Sequence, residues 1–266
     1  MNKVTFDLFP GGVRRCLTMS YDDGSPEDEQ LIGIFNRYGI KGTFHVNSNS
    51  VQAKHPGKDI AQLYAGHEVS CHMVNHPFPD RIPAMAALQQ IMEDKRALER
   101  AVGYVVRGMS WPQGAYTDEV IRLARDCGME YSRTTKATGK FFPLPQDFLQ
   151  WHPTCHHNKE DIVAKADEFL EEDRYGHMRL FYVWGHSYEF PRDDNWDMME
   201  AFCRKIGGRD NVWYATNIQI VDYVNAMRAL RMSADLDKFR NLSALDVWFS
   251  VNGEPVCCKA GQSLSL

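Results

Sequence analysis

The chain has 266 residues, of which 44% are hydrophobic, 24% charged and 12% aromatic, a composition that excludes a disordered or fibrous protein. Its 30 basic and 35 acidic side chains give a net charge of −5 without a basic run, so nothing indicates nucleic-acid binding and a neutral or small substrate is expected. This length suits one large domain, because α/β barrels of about 250 residues commonly form one.

The N-terminus and the cysteines indicate in which cellular compartment the protein is expected. Residues 1–7 reach an acid without an apolar run behind it, which is not typical of a secretory signal. No apolar segment is long enough to span a bilayer, so no membrane contact is expected. The seven cysteines are odd in number and scattered, and two of them, Cys257 and Cys258, are adjacent, which argues against a disulfide framework. We therefore expect a cytoplasmic protein.

Short apolar runs typical of strands alternate with amphipathic helical patterns to about residue 230. The predicted strands, in chain order, cover 16–21, 42–47, 67–72, 104–109, 129–134, 148–155, 179–184 and 212–216. The predicted helices cover 26–38, 58–65, 83–102, 117–127, 159–172, 196–206 and 218–230. Such alternation predicts a parallel sheet covered by helices, and seven to eight units favour a closed or nearly closed β/α barrel over an open doubly wound sheet. No G-x-G-x-x-G follows the first strand, which argues against a dinucleotide-binding fold.

The tail has a different pattern. Residues 245–251 and 254–258 have strand character, and Asn252-Gly253 between them predicts a β-hairpin. A hairpin alone cannot bury a core, so we expect it to pack on the barrel. The predicted organisation is a barrel domain over 1–232 and a short C-terminal β-hairpin extension over 233–266.

Four polar side chains follow two of the predicted strands. Asp22 and Asp23 end the first strand, and His72 and His76 directly follow the third. If the residues between the two histidines formed one helical turn, both rings would face one point at a spacing that suits a metal. Each pair alone also fits a turn, a helix cap or chance. Because the ends of barrel strands converge on one face, we expect all four to meet there.

Two further segments end on the same predicted rim. His186 ends the strand 179–184, and the alternative for this residue is a packed imidazole bonded to a backbone carbonyl. The loop 111–116 follows the fourth strand and could either shape a sugar pocket or turn the chain. Trp111, Trp184 and Tyr188 could stack on a sugar ring or belong to the barrel core.

Four motifs in order resemble those of the polysaccharide deacetylase family, over about residues 14–230. They are Ser20-Tyr21-Asp22-Asp23-Gly24, Gly42-Thr43-Phe44, Gly66-His67-Glu68 running into His72-x-x-x-His76-Pro77, and Trp111-Pro112-Gln113-Gly114. The resemblance implies a distorted β/α barrel with one divalent metal on one Asp and two His. It also implies hydrolysis of N-acetyl or O-acetyl groups on sugars.

The resemblance assigns roles to particular residues. It implies that Asp23, His72 and His76 are the metal ligands, that Asp22 is the general base and that His186 is the general acid. The expected metal is Zn²⁺, with Co²⁺, Ni²⁺, Mn²⁺ and Fe²⁺ as alternatives. Substrate contacts are expected from Trp111, Pro112, Gln113, Gly114, Tyr116, Trp184 and Tyr188.

The chain departs from the family pattern in two places. The family's third motif has an Arg just ahead of a Pro-aromatic-Gly turn, whereas the segment Ser110–Gly114 has neither that Arg nor the aromatic residue. The Asp-Trp pair of the fourth motif has no clean counterpart, although Trp151 and His152 lie near its expected place. We therefore expect different groups to hold the base and shape the pocket, and a specificity other than chitin or peptidoglycan.

The other histidines carry weaker signals. Cys155-His156-His157 could form a second metal site, but no further paired ligand spacing supports one, so pocket lining is favoured. The remaining histidines outside these groups are expected to be structural; they are His45, His55, His67 and His177.

The predicted function is a metal-dependent hydrolase that removes an acetyl group from a sugar or oligosaccharide through a metal-activated water. The alternatives are a hydrolase of a non-sugar amide on the same scaffold and a non-catalytic glycan-binding relative. A non-haem iron oxygenase also uses two His and one carboxylate, but Asp23 precedes His72 by about 50 residues in a β/α chain, which argues against it. The expected partner is a small acetylated sugar or oligosaccharide, and self-association is left open.

Overall fold

One strand, at the centre of a curled sheet, organises the fold. The computed structural model describes residues 2–141, 144–159, 161–171 and 176–266. The strands are β1 Val4–Thr5, β2 Arg15–Asp22, β3 Gly42–Val46, β4 Glu68–Cys71, β5 Gly108–Ser110, β6 Tyr131–Arg133, β7 Cys155–His156, β8 Arg179–His186, β9 Val212–Tyr214, β10 Arg231–Met232, β11 Lys238–Arg240, β12 Val247–Val251, β13 Glu254–Cys258 and β14 Ser263–Ser265. The helices are α1 Asp28–Arg37, α2 Val51–Lys54, α3 Ile60–Leu63, α4 Ala84–Val102, α5 Asp118–Asp126, α6 Ile162–Leu170, α7 Glu189–Asp193, α8 Trp196–Ile206 and α9 Asn217–Arg228.

The main sheet is parallel and contains eight strands within the described residues, in the order β6-β5-β4-β3-β2-β8-β7, with β9 also on β2. On one edge of β2 the whole strand pairs with β8. On its other edge the first residues pair with β9 and the last with β3. This sharing of one edge bends the sheet into an incompletely closed barrel, which confirms the predicted distorted β/α barrel of seven to eight units.

Several element boundaries differ from the predicted ones. The predicted helix over 58–65 is only the short α3, after a separate short α2. The predicted strand over 148–155 begins as a 3₁₀ turn at Phe148–Gln150, because Asp147 accepts the backbone N–H of Leu149 at 3.0 Å and caps that turn. Residues 160 and 172 of the predicted helix 159–172 lie outside the described residues.

The two faces of β2 carry different chemistry. Leu17, Met19 and Tyr21 pack with helix residues in the largest hydrophobic cluster. Thr18 and Ser20 alternate with them and are fully buried. Period-two alternation therefore places an apolar layer under the helices and a polar lining inside the barrel.

Glu68 at the start of β4 is the acidic centre of that lining. Its Oε1 accepts the Tyr131 hydroxyl at 2.7 Å, and its Oε2 accepts the Thr43 hydroxyl and the Ile218 N–H at 3.0 Å each. Burial raises the pKa of Glu68 from 4.5 to about 7, although these hydrogen bonds oppose the shift.

The C-terminal segment forms the predicted hairpin and a second small sheet. β12 and β13 pair antiparallel from Val247↔Cys258 to Val251↔Glu254, around the positive-φ turn Asn252-Gly253. β1 adds to β12, and within the described residues β10, β11 and β14 form another three-stranded antiparallel sheet. Phe239, Phe249 and Ala226 share a buried cluster, so this extension packs on α9 of the barrel. The division of the chain at residue 232 stays a prediction.

No helix within the described ranges has both the length and the apolar character needed to cross a membrane.

Replacement of Glu68 with Gln should change how stability depends on pH. The folded-state pKa of Glu68 lies above its ordinary value, so the neutral form favours folding and stability is lost as the pH rises from about 4.5 through about 7. The free energy of unfolding of Glu68→Gln minus that of the wild type should rise by up to about 3 kcal/mol over this interval. Urea unfolding of both proteins at about pH 5 and about pH 7.5 measures it, and parallel pH dependences would contradict the assignment.

Candidate metal and catalytic site

Strand pairing brings the candidate side chains to one rim of the barrel. Asp22 is the last residue of β2 and pairs with His186 of β8 on one side and with His45 of β3 on the other. His72 follows β4, the next strand beyond β3. Because parallel strands end on the same side of a sheet, their C-terminal residues meet there.

A strained turn aims the Asp23 carboxylate into this rim. Asp23 has a φ of 76°, in the left-handed region, and its N–H donates to the His45 carbonyl at 2.9 Å. Lys54 donates to the Asp23 carbonyl at 2.6 Å. Gly24 also has a positive φ, and a Cβ there would lie 2.9 Å from Val46 Cγ1, so the turn requires glycine.

His72 and His76 converge through a turn, and not through the helical turn on which their convergence was predicted. Met73 and His76 have φ values of 58° and 50°, which no α-helix contains. The Asn47 amide donates to the carbonyls of His72 and Met73 at 2.9 and 2.8 Å, and Asp94 accepts the His72 N–H at 2.9 Å. One side chain directly after β3 and one on α4 therefore fix the backbone of this turn.

Asp23, His72 and His76 have the geometry of a metal-ligand set. Asp23 Oδ1 lies 3.6 Å from His72 Nε2 and 3.7 Å from His76 Nε2. Tetrahedral donors about 2.1 Å from a cation are separated by about 3.4 Å, so small rotations would suffice. The buried Nε2 of His72 has no hydrogen-bond partner among the described residues, while Nδ1 lies 3.0 Å from the Ser110 carbonyl. That acceptor places the ring proton on Nδ1 and leaves the Nε2 lone pair free, so the residues fit a cation.

Asp22 is buried beside this set and is held by two donors. Ser110 donates to Oδ1 at 3.0 Å, and the Arg133 guanidinium contacts Oδ2. Burial alone would raise the pKa of Asp22, but Arg133 and then His72 outweigh it and hold that pKa well below its usual range. Asp22 is therefore ionised at neutral pH, and His72 Nε2 lies 3.9 Å from its Oδ2.

Arg133 is the first of two candidate-site residues that sequence reasoning missed. It ends β6, is fully buried, and stacks its guanidinium 4.3 Å from the Trp184 ring centroid. Buried arginines almost always have a partner, so an Arg within the predicted strand 129–134 was the signal that could have identified it. Its position opposite Asp22 supplies the positive charge that the segment 110–114 lacks.

His186 faces the metal-ligand set with one nitrogen and a carboxylate with the other. Its Nε2 lies 4.0 Å from Asp23 Oδ2, and its Nδ1 lies 3.5 Å from Glu189 Oε2. The backbone N–H of His186 also donates to Glu189 at 3.2 Å. Burial lowers the pKa of His186, but the Glu189 and aspartate charges outweigh it, and the net shift is upward. Glu189 is the second partner that sequence reasoning missed.

A second group of potential ligands, His156, His186 and Glu189, has the wrong protonation for a metal. The Asn158 N–H donates to His156 Nδ1 at 3.1 Å, which places the ring proton of neutral His156 on Nε2. That Nε2 lies 3.1 Å from Glu189 Oε2 and is a hydrogen-bond donor. His157 packs beside Gly185, where a Cβ would lie 2.0 Å from its Nδ1. The rings of His156, His157 and His186 therefore surround the Glu189 carboxylate.

The predicted substrate-contact residues divide between rim and core. Tyr188 is 37% exposed with its ring centroid 5.0 Å from that of His186, and the Gln113 amide lies 3.3 Å from His76 Nδ1. Trp111 is buried in the core, where its indole N–H donates to the Leu149 carbonyl at 2.9 Å. Trp184 is buried under Arg133. The remaining members are Pro112, buried, and Gly114 and Tyr116, half-buried.

Most other histidines have structural partners. His45 lies 2.9 Å from the Ser20 hydroxyl, His55 lies 3.4 Å from the Tyr64 hydroxyl, and His67 Nδ1 accepts the Gly42 N–H. His152 is half-buried, 2.6 Å from the Thr134 hydroxyl.

Fold and rim together define a β/α-barrel protein whose carboxylates and imidazoles meet at the C-terminal ends of its strands. Residues 11–132 match the polysaccharide deacetylase family, which confirms the resemblance inferred from the sequence motifs.

Relatives and solved structures agree with that match. The chain is 29% identical over 111 residues to peptidoglycan-N-acetylglucosamine deacetylase PgdA of Listeria monocytogenes, which covers 41% of this chain but only 23% of PgdA. A putative polysaccharide deacetylase from Mycobacterium smegmatis superposes with a TM-score of 0.63 at 16% identity, over 86% of this chain and 96% of that one. A CE4 family pseudoenzyme from Bacillus anthracis superposes with a TM-score of 0.52 at 14% identity, over 81% and 68%. The fold is therefore shared by a protein described as a putative deacetylase and by one described as a pseudoenzyme.

Removal of one predicted ligand should remove metal binding. The purified chain should bind one equivalent of Zn²⁺, and His72→Ala should weaken binding by more than the 10- to 100-fold typical of lost outer-shell partners. His156→Ala is the matched control, because its Nε2 already carries a proton for Glu189. Calorimetry with metal analysis measures both. Weaker binding by His156→Ala than by His72→Ala would contradict the ligand assignment.

Proposed function

We propose that this chain is a metal-dependent hydrolase that removes the acetyl group from an N-acetylated or O-acetylated sugar or oligosaccharide. The observation that carries the proposal is the convergence on Asp23, where His72 and His76 lie 3.6 and 3.7 Å from one carboxylate oxygen and His186 lies 4.0 Å from the other. An ionised carboxylate, Asp22, is adjacent. Amide and ester hydrolysis need a nucleophile, a general base and a general acid at one point, and this rim offers candidates for each.

Asp23, His72 and His76 would hold the cation. Their nitrogen and oxygen donors suit Zn²⁺, with Co²⁺, Ni²⁺, Mn²⁺ and Fe²⁺ as alternatives. When bound, the cation would polarise the acyl oxygen and lower the pKa of a water to about 7.

Asp22 is the proposed general base. Because Arg133 and Ser110 occupy its two oxygens from the barrel side, the carboxylate keeps one orientation and stays ionised to accept the proton of the attacking water. The pairing with Arg133 makes Asp22 a weak base. Asp22 would therefore orient the attacking water and hold its proton only transiently.

His186 is the proposed general acid. Glu189 faces Nδ1 and favours the protonated ring, in which Nε2, the nitrogen on the side of Asp23, also carries a proton. Nε2 would donate that proton to the departing amine or alcohol oxygen, and Glu189 would keep the ring oriented between turnovers.

The proposed substrate is a small acetylated sugar or oligosaccharide, with Tyr188 and Gln113 at its contact surface. PgdA is described as acting on peptidoglycan N-acetylglucosamine, but this chain spans less than a quarter of its length. The proposed compartment is the cytoplasm, supported by the odd number and scattered positions of the seven cysteines, six of which are buried. Hydrolysis of a non-sugar amide is the second candidate, because the same groups act on the acyl centre irrespective of what lies beyond it. Arg133 opposite Asp22 argues against the non-catalytic alternative.

Acetate release should depend on metal and on Asp22. Acetylated sugars and short oligosaccharides should release acetate with the wild type, lose release after chelation and regain it with Zn²⁺ or Co²⁺. Asp22→Asn should bind metal normally and lose about 10² to 10⁴ in kcat, the usual contribution of a general base. Enzymatic acetate assay with metal analysis measures both. A rate of acetate release that does not change on chelation would contradict the proposal.

Removal of the Arg133 guanidinium should lower turnover more than it lowers substrate affinity. Arg133→Lys should lower kcat by about 10- to 100-fold, the range for lost outer-shell partners, because one ammonium cannot reproduce the guanidinium contact and its stacking on Trp184. Arg107→Lys is the control, since Arg107 precedes β5 and pairs with Glu130, which precedes β6, and with Asp222 of α9, at the other end of these strands. Equal kcat values for the two variants, with folding checked by thermal melting, would contradict the role.

A further inference from the structure

A buried cluster of hydroxyl and carboxyl groups links the segment after β2 to the segment after β8. The Asp28 cluster consists of Ser25, Asp28 and Ser187, each less than 5% exposed. The Ser187 hydroxyl donates to Asp28 Oδ1 at 2.5 Å, and the Ser25 and Ser187 hydroxyl oxygens are 2.7 Å apart. Tyr64, outside the cluster, donates to the other Asp28 oxygen at 2.7 Å.

Ser187 is the central member of the cluster, because its hydroxyl donates to Asp28 and its oxygen also lies 2.7 Å from the Ser25 oxygen. The Ser25 hydroxyl donates at 2.7 Å to Glu27 Oε2, outside the cluster. The contacts of the cluster therefore run from Ser25 through Ser187 to Asp28. Removal of the central hydroxyl disconnects the other two residues.

The cluster lies where the sheet stops holding the two segments together. Pairing of β2 with β8 ends at Asp22↔His186, and both backbones leave the sheet after that pair. Ser187 directly follows His186, and Ser25 is two residues after Asp23. Asp28 begins α1, so it anchors both segments to a helix of the barrel. Beyond the last backbone pair of β2 and β8, side-chain hydrogen bonds connect the two segments.

We propose that Asp28 and Ser187 are positioning residues that set the distance between His186 and the metal-ligand set. This inference rests on the proposed function and deepens it. Neither residue touches the reacting atoms; they act by holding the acid-bearing segment against the ligand-bearing segment. Displacements of about 1 Å in such sites can lower turnover by about 10²-fold, so the link affects catalysis more than binding.

Two variants separate positioning from general stability. Ser187→Ala and Tyr64→Phe each delete one hydroxyl donor to the same buried carboxylate, but only Ser187→Ala disconnects the His186 segment. We expect Ser187→Ala to lower kcat at least tenfold, with KM and bound metal within about twofold of wild type. Tyr64→Phe should keep kcat within about twofold. Should Ser187→Ala fail to fold, Ser25→Ala breaks the same link and leaves the bond from Ser187 to Asp28 in place.

Amide hydrogen exchange tests the link without relying on activity. Exchange in the peptide 186–193 should increase in Ser187→Ala and stay at the wild-type rate in Tyr64→Phe. Unchanged exchange in that peptide, or equal kcat losses in the two variants, would overturn the inference. If the wild type releases no acetate from any substrate, the proposed function fails, and the exchange measurement still decides whether the cluster couples the two segments.

Discussion

Parallel pairing of β2 with β3 and β8 is the constraint on which the candidate site depends. The register places His45, Asp22 and His186 side by side across three strands. A shift of one residue in either pairing would turn Asp22 or His186 to the other face of the sheet, among the aromatic side chains under the helices. The outward-facing Leu17, Met19 and Tyr21 oppose such a shift, because their burial against the helices holds the register. The apolar face thus fixes the position of the polar one.

Burial of charge at the rim imposes a second constraint. Asp22 and Glu189 are acids within a few ångströms of imidazoles, and each is accompanied by a positive or proton-bearing partner. Arg133 stabilises the ionised form of Asp22, while Glu189 stabilises the protonated form of His186. The two environments push the proton affinities of the proposed base and acid in opposite directions, as acid–base catalysis at one pH requires. The same pairing prevents the cost of an isolated buried charge.

Sequence reasoning succeeded where the signal was local or followed from strand order. Asp22, Asp23, His72 and His186 each end or follow a recognisable strand, and the parallel barrel brings strand ends together. It failed where the outcome depended on which side chains face each other across the fold. The turn at Met73 and His76 takes positive φ because Asn47 and Asp94 hold its backbone, and those partners come from other elements. The burial of Trp111 depends on the Leu149 carbonyl, 38 residues away. The pairing of β1 with β12 joins the two ends of the chain, which no local pattern indicates.

The place of Arg133 in the sheet explains how a chain without an Arg ahead of the Pro112 turn still has a guanidinium beside Asp22. Ser110 on β5 and Arg133 on β6 are register partners, and the Trp111 N–H donates to the Arg133 carbonyl at 2.9 Å. The position ahead of the Pro112 turn and the end of β6 are therefore neighbours across one strand spacing of about 4.8 Å. The long Arg133 side chain reaches Asp22 from β6, and its guanidinium lies over the Trp184 ring, 4.3 Å from the ring centroid. Trp111 is buried in the core, so residue 111 supplies an aromatic side chain to the packing while Arg133 supplies the positive charge beside Asp22 from the neighbouring strand.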